Sequence, residues 1–256
     1  MIKIAVTGAT GRMGKEVITA INADPNCKLA IALIRPTSAL IGTKVTDFIK
    51  LNNKNHDNQD LVFTDSLIDA EAFDVVVDFS LPIVTINYLS QCLKLSRPMV
   101  VATTGFSEAD KNSLREAAQK IPILFAPNMS LGVNICYNLL ELCAKAIGVD
   151  WQVAISEIHH KHKKDAPSGT ALKMGEVITK FSGIEKSEIQ FNSVRAGDVV
   201  GEHTVSFIGD GERIEITHCA SNRQAFAKGA LMAAKWLINK KPGLYTMQDV
   251  IQGHLA

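Results

Sequence analysis

The feature that most constrains this chain is Gly8-Ala9-Thr10-Gly11-Arg12-Met13-Gly14, which follows the apolar run Ile2 to Val6 and leads into Met13, Val17 and Ile21 at helical spacing. Strand, glycine turn and helix in that order form a βα unit. Its glycines allow a tight turn, and its helix N-terminus offers N–H groups and a positive dipole end to an anion. The spacing is one residue wider at the front than Gly-x-Gly-x-x-Gly, so the surrounding alternation must carry the reading. Leu29 to Ile34, Val75 to Phe79, Met99 to Thr103 and Ile123 to Ala126 are further short apolar runs separated by amphipathic stretches. Ser107 with Asp110 has the form of a helix N-cap with an acid at its third position. The first half therefore predicts a parallel sheet wrapped by helices. Ile41 to Asp60, Asn/Asp/Lys-rich from Asn52, reads as a loop or small insertion.

The second run closes with Leu33-Ile34-Arg35. A carboxylate there would take the 2′-hydroxyl of NAD, whereas an arginine accommodates the 2′-phosphate of NADP, so Arg35 points to acceptance of NADPH.

The second half obeys different rules. A helix is expected from Val133 to Ile147 and a strand from Trp151 to Ile158. His203 to Ile208 and Arg213 to Cys219 flank Gly209-Asp210-Gly211 and read as a β-hairpin, with Val205 and Phe207 on its apolar face. These elements define an α+β domain between about 130 and 238, and Gly243 to Ala256 is free to return to the first domain.

Composition removes several classes. A chain of 256 residues, 46% hydrophobic, can bury a sizeable core. A formal charge of +1 excludes a general polyanion binder. No apolar run approaches the roughly 20 residues that cross a bilayer, and the start shows no basic leader with a cleavage site. Five cysteines form no Cys-x-x-Cys pair. The expectation is a reduced, cytoplasmic protein without a membrane or nucleic-acid partner.

Glu157-Ile158-His159-His160-Lys161-His162-Lys163-Lys164-Asp165-Ala166-Pro167-Ser168-Gly169-Thr170 concentrates the chemistry. If the strand continues, His160 and His162 share one face and His159 takes the other, while three lysines repel a cation; a metal site is not expected. The alternative of a solvated charge run is opposed by the helix start immediately after it. Ser168 suits an N-cap, and Ala171, Met174, Ile178 and Phe181 line one face of a helix ended by Gly183. A helix start with a small glycine and two hydroxyls beside lysines and histidines suits a carboxylate, leaving a His and a Lys for proton transfer.

Other nicotinamide chemistries fail on residue type. A short-chain dehydrogenase needs Lys four positions after Tyr, but Tyr88, Tyr137 and Tyr245 are followed at that spacing by Cys92, Glu141 and Asp249. An acylating enzyme needs an activated cysteine, and Cys136 and Cys143 sit in an apolar helix.

These blocks, together with Ala102-Thr103-Thr104-Gly105-Phe106, Ala126-Pro127-Asn128-Met129, Val194 to Asp198 and Gly201 to Thr204, make the chain closely similar, over nearly its whole length, to the dihydrodipicolinate reductase family. The resemblance implies α/β architecture: an N-terminal Rossmann-type domain, 1–130, completed by 239–256, and a central α+β domain, 131–238, for substrate binding and tetramerisation. It implies reduction of 4-hydroxy-tetrahydrodipicolinate, a small cyclic dicarboxylate, by NADPH or NADH in a homotetramer, within the diaminopimelate and lysine pathway. His159 would exchange the proton and Lys163 would be the second donor. His160, Lys163, Ser168, Gly169, Thr170 and Arg223 would hold the substrate carboxylates. Gly8, Ala9, Thr10, Gly11, Arg12, Met13, Arg35, Ala102, Thr103, Thr104, Ala126, Pro127, Asn128 and Met129 would contact the cofactor. Three departures stand out. Ile34 replaces an acid often found at the ribose position, Ala102 stands where Gly is common, and the stretch from Gly183 to Val194 is shorter than in many members, a leaner surface. Two other readings share parts of the pattern: a reductase of another small imino or keto acid, and a non-catalytic nicotinamide-binding sensor with no use for His159, Lys163 and the helix start together.

Overall fold

The computed structural model describes residues 1–50, 60–67 and 70–255. Of the loop or small insertion expected over Ile41 to Asp60, residues 51–59 lie outside the described residues, and Val45–Phe48 forms a short helix. In chain order the elements begin β1 (Ile2–Thr7), α1 (Arg12–Ala23), β2 (Cys27–Leu33), α2 (Val45–Phe48), β3 (Phe63–Thr64), β4 (Val75–Asp78), α3 (Pro82–Leu95) and β5 (Met99–Val101). They continue with α4 (Glu108–Ala118), β6 (Pro122–Phe125), α5 (Leu131–Ala146), β7 (Gln152–His159), α6 (Gly169–Ser182) and β8 (Gln190–Arg195). The chain closes with β9 (Gly201–Ile208), β10 (Arg213–Ala220), α7 (Gln224–Leu237), β11 (Gly243–Tyr245) and α8 (Met247–Leu255).

Two compact units result, one formed by Met1–Ser130 with Gln224–Ala256 and the other by Leu131–Arg223. The first is a seven-stranded parallel sheet of order β11-β6-β5-β4-β1-β2-β3. Val, Ile and Leu fill both faces because both are covered. Ile4, Val6, Val75 and Val77 meet α1, α7 and α8 on one side. Ala5, Val76, Met99 and Val101 meet α3 and α4 on the other. The expected cap forms: Ser107 and Asp110 make a reciprocal capping box on α4. The tail does return, β11 adding to β6 in parallel.

One expected boundary is corrected. Residues 224–238, read with the second domain, belong to the first, because Ala227, Ala230, Ala233 and Ala234 let α7 pack closely in the core shared with α1, and Lys235 pairs with Asp24. An alanine stripe after a hairpin carries no sign of which sheet it will cover.

The second unit is a mixed sheet, β10-β9-β7-β8, with β7 parallel to β8 and antiparallel to β9. Its core joins Val153, Ile155, Val205 and Phe207 to Leu140 of α5 and Met174 and Ile178 of α6. Ser168 caps α6 through the Ala171 N–H, and Gly183 ends it at φ 80°. The short stretch after Gly183 leads into an edge strand, β8, whose Gln190, Asn192 and Ser193 give no apolar alternation to detect. One expectation changes. Strand β7 stops at His159, so alternation does not place His160 and His162; a turn does, with Lys163 N–H on His160 O at 3.0 Å.

Candidate functional site

In the first unit the expected cofactor residues gather at the carboxyl ends of parallel strands, the edge where open α/β sheets bind ligands. Gly8 has φ 63°, and a Cβ there would lie 2.4 Å from the Phe79 carbonyl oxygen. A Cβ on Gly14 would lie 2.1 Å from Gly8 O, so α1 rests directly on the turn. The α1 N-terminus has no side-chain cap and no acid in its first turn, and Arg12 there is exposed. Ala9 N–H bonds Leu33 O at 3.0 Å, linking the turn to the end of β2, where Arg35 is exposed two residues on. A glycine cradle, an uncapped helix start and an exposed arginine fit a dinucleotide phosphate. Ala9 itself is fully buried with its N–H used, so it seats the turn and does not line it. Ile34 is core.

A residue that sequence reasoning missed ties this edge together. Asp78, fully buried at the end of β4, accepts hydroxyls from Thr7, from Ser80 and Thr85 at 2.6 Å, and from Thr103 at 2.7 Å. Thr103 Oγ1 also takes the Ser80 N–H at 2.9 Å. The Thr103 side chain is thus committed to Asp78, leaving exposed Thr104 as the open hydroxyl of that loop. Ala102 and Ala126 are buried and continue the sheet ladder through Asp78 O and Val101 O. Pro127 is exposed, Asn128 half-buried with Oδ1 on Ser130 N–H at 2.9 Å, and Met129 buried.

In the second unit His159, Gly201, Ala220 and Arg195 stand at one end of the sheet, because β7 and β8 end where β9 begins and β10 finishes. Val153, Ile155, Glu157 and His159 share the helix-facing parity of β7, so a carboxylate and an imidazole take positions that apolar residues hold lower down. The Glu157 side chain is fully buried. It receives Arg195 Nη1 at 2.8 Å and Nη2 at 2.7 Å, the Ser168 N–H at 3.2 Å, and His159 Nδ1. Burial alone would raise its carboxyl, but bonds from Arg195, Ser193 and His159 outweigh that and hold it down at about 2. An ionised carboxylate only accepts, so His159 Nδ1 carries the hydrogen and Nε2 is the nitrogen left for proton exchange. Burial lowers the proton affinity of His159, Glu157 opposes this, and Lys163 and Arg195 add to it.

His203, also missed, is buried with its ring centroid 5.0 Å from that of His159. Its Nε2 meets Ser168 Oγ at 3.0 Å. Burial first and His159 second push it down to about 4. Ser168 shares its hydroxyl between Ala171 N–H and His203, its N–H goes to Glu157, and it is 1% exposed, so its contacts here build the start of α6. Gly169 is exposed in the first turn of α6, and Thr170 pairs with Tyr137. Lys163 Nζ pairs with Asp165 at 2.9 Å. His160 is half-buried, its Nδ1 inaccessible and unpaired. Arg223 lies three residues beyond β10, at the His159 end of the sheet. The signal for Glu157 and His203 was in the sequence: each falls on the buried parity of its strand.

Residues 2–129 match the family model described as dihydrodipicolinate reductase, N-terminus, and residues 132–251 match that for the C-terminus. The chain is 45% identical to a 4-hydroxy-tetrahydrodipicolinate reductase of Hahella chejuensis, covering 98% of this chain and 99% of that protein. Among solved structures, a dipicolinate-bound dihydrodipicolinate reductase from a Paenisporosarcina species superposes with a TM-score of 0.76 at 23% identity, covering 96% of this chain and 97% of that one. An amine dehydrogenase from Mycobacterium smegmatis shares the fold at a TM-score of 0.63 and 12% identity, covering 96% and 95% of the two chains.

Proposed function

The chain belongs to the dihydrodipicolinate reductase family, and from that premise we infer that it reduces 4-hydroxy-tetrahydrodipicolinate, after loss of water, to tetrahydrodipicolinate with NADPH or NADH, in diaminopimelate and lysine biosynthesis. The bound nicotinamide supplies the hydride. Gly8, Thr10, Gly11, Arg12 and Met13 hold its pyrophosphate side, Arg35 meets a 2′-phosphate, and Ala102, Thr103, Thr104 and 126–129 frame the nicotinamide side. Two carboxylates of the substrate are held by the first turn of α6 at Gly169 and Thr170, with His160, Lys163 and Arg223 as cationic or hydrogen-bonding partners. Ser168 shapes that turn.

His159 exchanges the proton at Nε2, the nitrogen left open by the bond of Nδ1 to Glu157. Imidazole exchanges protons near neutral pH, burial holds this one below its ordinary value, and general acids of this kind contribute about 10²–10⁴-fold. Lys163 is both counter-charge and second donor, and a substrate carboxylate competes with Asp165 for its ammonium. The observation that carries this reading is the Glu157-held imidazole at the same sheet end as the α6 start. The test couples the enzyme to the synthase that makes its substrate and monitors nicotinamide oxidation. His159→Gln and Lys163→Ala are each expected to lose at least about 10²-fold in kcat, with cofactor affinity intact. Near-normal turnover in both refutes the roles, and no oxidation by the wild-type protein with either cofactor points to another substrate or to a sensor.

We also propose a homotetramer built on the sheet face opposite α5 and α6. That face is open and hydroxyl-rich, with Thr204 on Thr217 at 3.0 Å and Ser206 on Glu215 at 3.2 Å, and with Val194 and Ile208 exposed beside them. A cytoplasmic location accords with five free cysteines.

A further inference from the structure

We propose that Glu157, clamped by Arg195, is the positioning residue for His159: it holds the Nδ1 hydrogen so that Nε2 is the nitrogen open to proton exchange, and it binds that ring to the helix start that receives the substrate. The proposal rests on reading His159 as the proton carrier.

A buried carboxylate with one cation is seldom a net source of stability, since desolvation offsets the ion pair. This one is instead notable for what it joins. Arg195 engages both its oxygens in a fork, and Glu157 also accepts from Ser193 and from two groups of the site, His159 Nδ1 and the Ser168 N–H. Arg195 is itself fixed, Nη1 also reaching Val194 O at 2.8 Å and Nη2 reaching Asp165 O at 2.5 Å. The same guanidinium therefore anchors the segment that carries Lys163. Rotation of the imidazole would break the bond to Glu157, and the opposite tautomer would set a lone pair against the carboxylate. On its other side the ring stands over Gly201, where a Cβ would come within 3.0 Å of Nε2. Glycine at the start of β9 gives the working nitrogen its room.

The charges around His159 come from every element packed on it. Glu157 from β7 is the anion. Arg195 from β8, Lys163 from the turn after β7 and His203 from β9 surround it, with His218 of β10 acting on His203. Removing the anion and removing its clamp must therefore move the imidazole in opposite directions. A scaffold that merely loosened would not.

The experiment tracks the His159 ring signals by NMR against pH in the holoenzyme, alongside the pH profile of kcat/KM. Wild type is expected to hold its neutral imidazole with the proton on Nδ1. Glu157→Gln is expected to titrate at lower pH and to lose at least about tenfold in kcat, a fraction of the general-acid contribution. Arg195→Met is expected to titrate at higher pH, and Arg195→Lys to stay near wild type, with NADPH affinity within twofold throughout. A wild-type proton on Nε2, an unmoved titration in Glu157→Gln, or a downward shift in both variants overturns the proposal; the wild-type tautomer decides the matter even if a variant fails to fold. Opposite shifts of the ring with an unmoved kinetic profile would leave the clamp standing and refute His159 as the proton carrier.

Discussion

Replacement of His203 by Gln should change how the protein responds to mild acid. In the folded chain burial, and then the neighbouring His159, push this imidazole from 6.5 down to about 4. The unfolded chain keeps the ordinary value, so between these two pH values the unfolded state binds a proton that the folded state refuses. Stability then rises with pH across that window: the contribution of His203 is complete above about 6.5 and is lost as pH falls towards 4. The difference between 6.5 and about 4 corresponds to about 3 kcal/mol, most of it gone by pH 4.5. The carboxylates that the fold holds below their ordinary values, Glu157, Asp24, Asp60, Glu108 and Asp165, lose their contribution only at still lower pH. Glutamine can still bond Ser168 Oγ but cannot charge. Urea unfolding at pH 7.5 and 4.5, at one protein concentration and with cofactor absent, measures the effect. Wild type should lose about 2–3 kcal/mol more than His203→Gln over that interval, whatever the offset between them at pH 7.5. Equal losses within about 0.5 kcal/mol would show that His203 is not held neutral by its surroundings, and the burial argument would fail.

Two further outcomes concern the first unit. Gly8→Ala places a Cβ at φ 63° against the Phe79 carbonyl oxygen; strain of about 1–2 kcal/mol should lower the thermal midpoint, and displacement of the turn should raise the KM for NADPH at least tenfold. Unchanged KM would detach the turn from the cofactor. Asp78→Asn replaces an acceptor of four hydroxyls by a group that can accept fewer, and should cost about 2 kcal/mol or more in urea unfolding while weakening cofactor binding through the Thr103 loop. Wild-type values of both would show that the Asp78 bonds do not set that loop.

How much of this the sequence exposed depends on the kind of signal. Strands β1, β2, β4, β5 and β6 announced themselves as apolar runs because both faces are buried, and the α4 and α6 caps because Ser107 and Ser168 bond backbone N–H groups locally. The edge strand β8 did not, since Gln190 to Arg195 is held by pairing with β7 and its own residues are mostly exposed. The α7 helix was not singled out, and its small residues carry no sign of which sheet they cover. His159 was named by its motif. Its support was not, because Arg195 lies 38 residues from Glu157 and meets it only when β8 pairs in parallel with β7.

Asp78 and Glu157 show why that support has the form it does. Both are buried acids near the carboxyl end of a strand inside a sheet, and both are surrounded by donors from neighbouring strands and loops. Apolar side chains of similar volume would fill either place at no greater cost, since burying a charge consumes most of what its bonds return. What an apolar residue lacks is direction: it tolerates a loop that slides or a ring that turns. A carboxylate whose acceptor sites are all taken accepts one arrangement of Thr7, Ser80, Thr85 and Thr103, or of Arg195, Ser168 and His159, and penalises the others with an unpaired charge. In each unit the sheet thus transmits its rigidity, through one carboxyl group, to the loops around it.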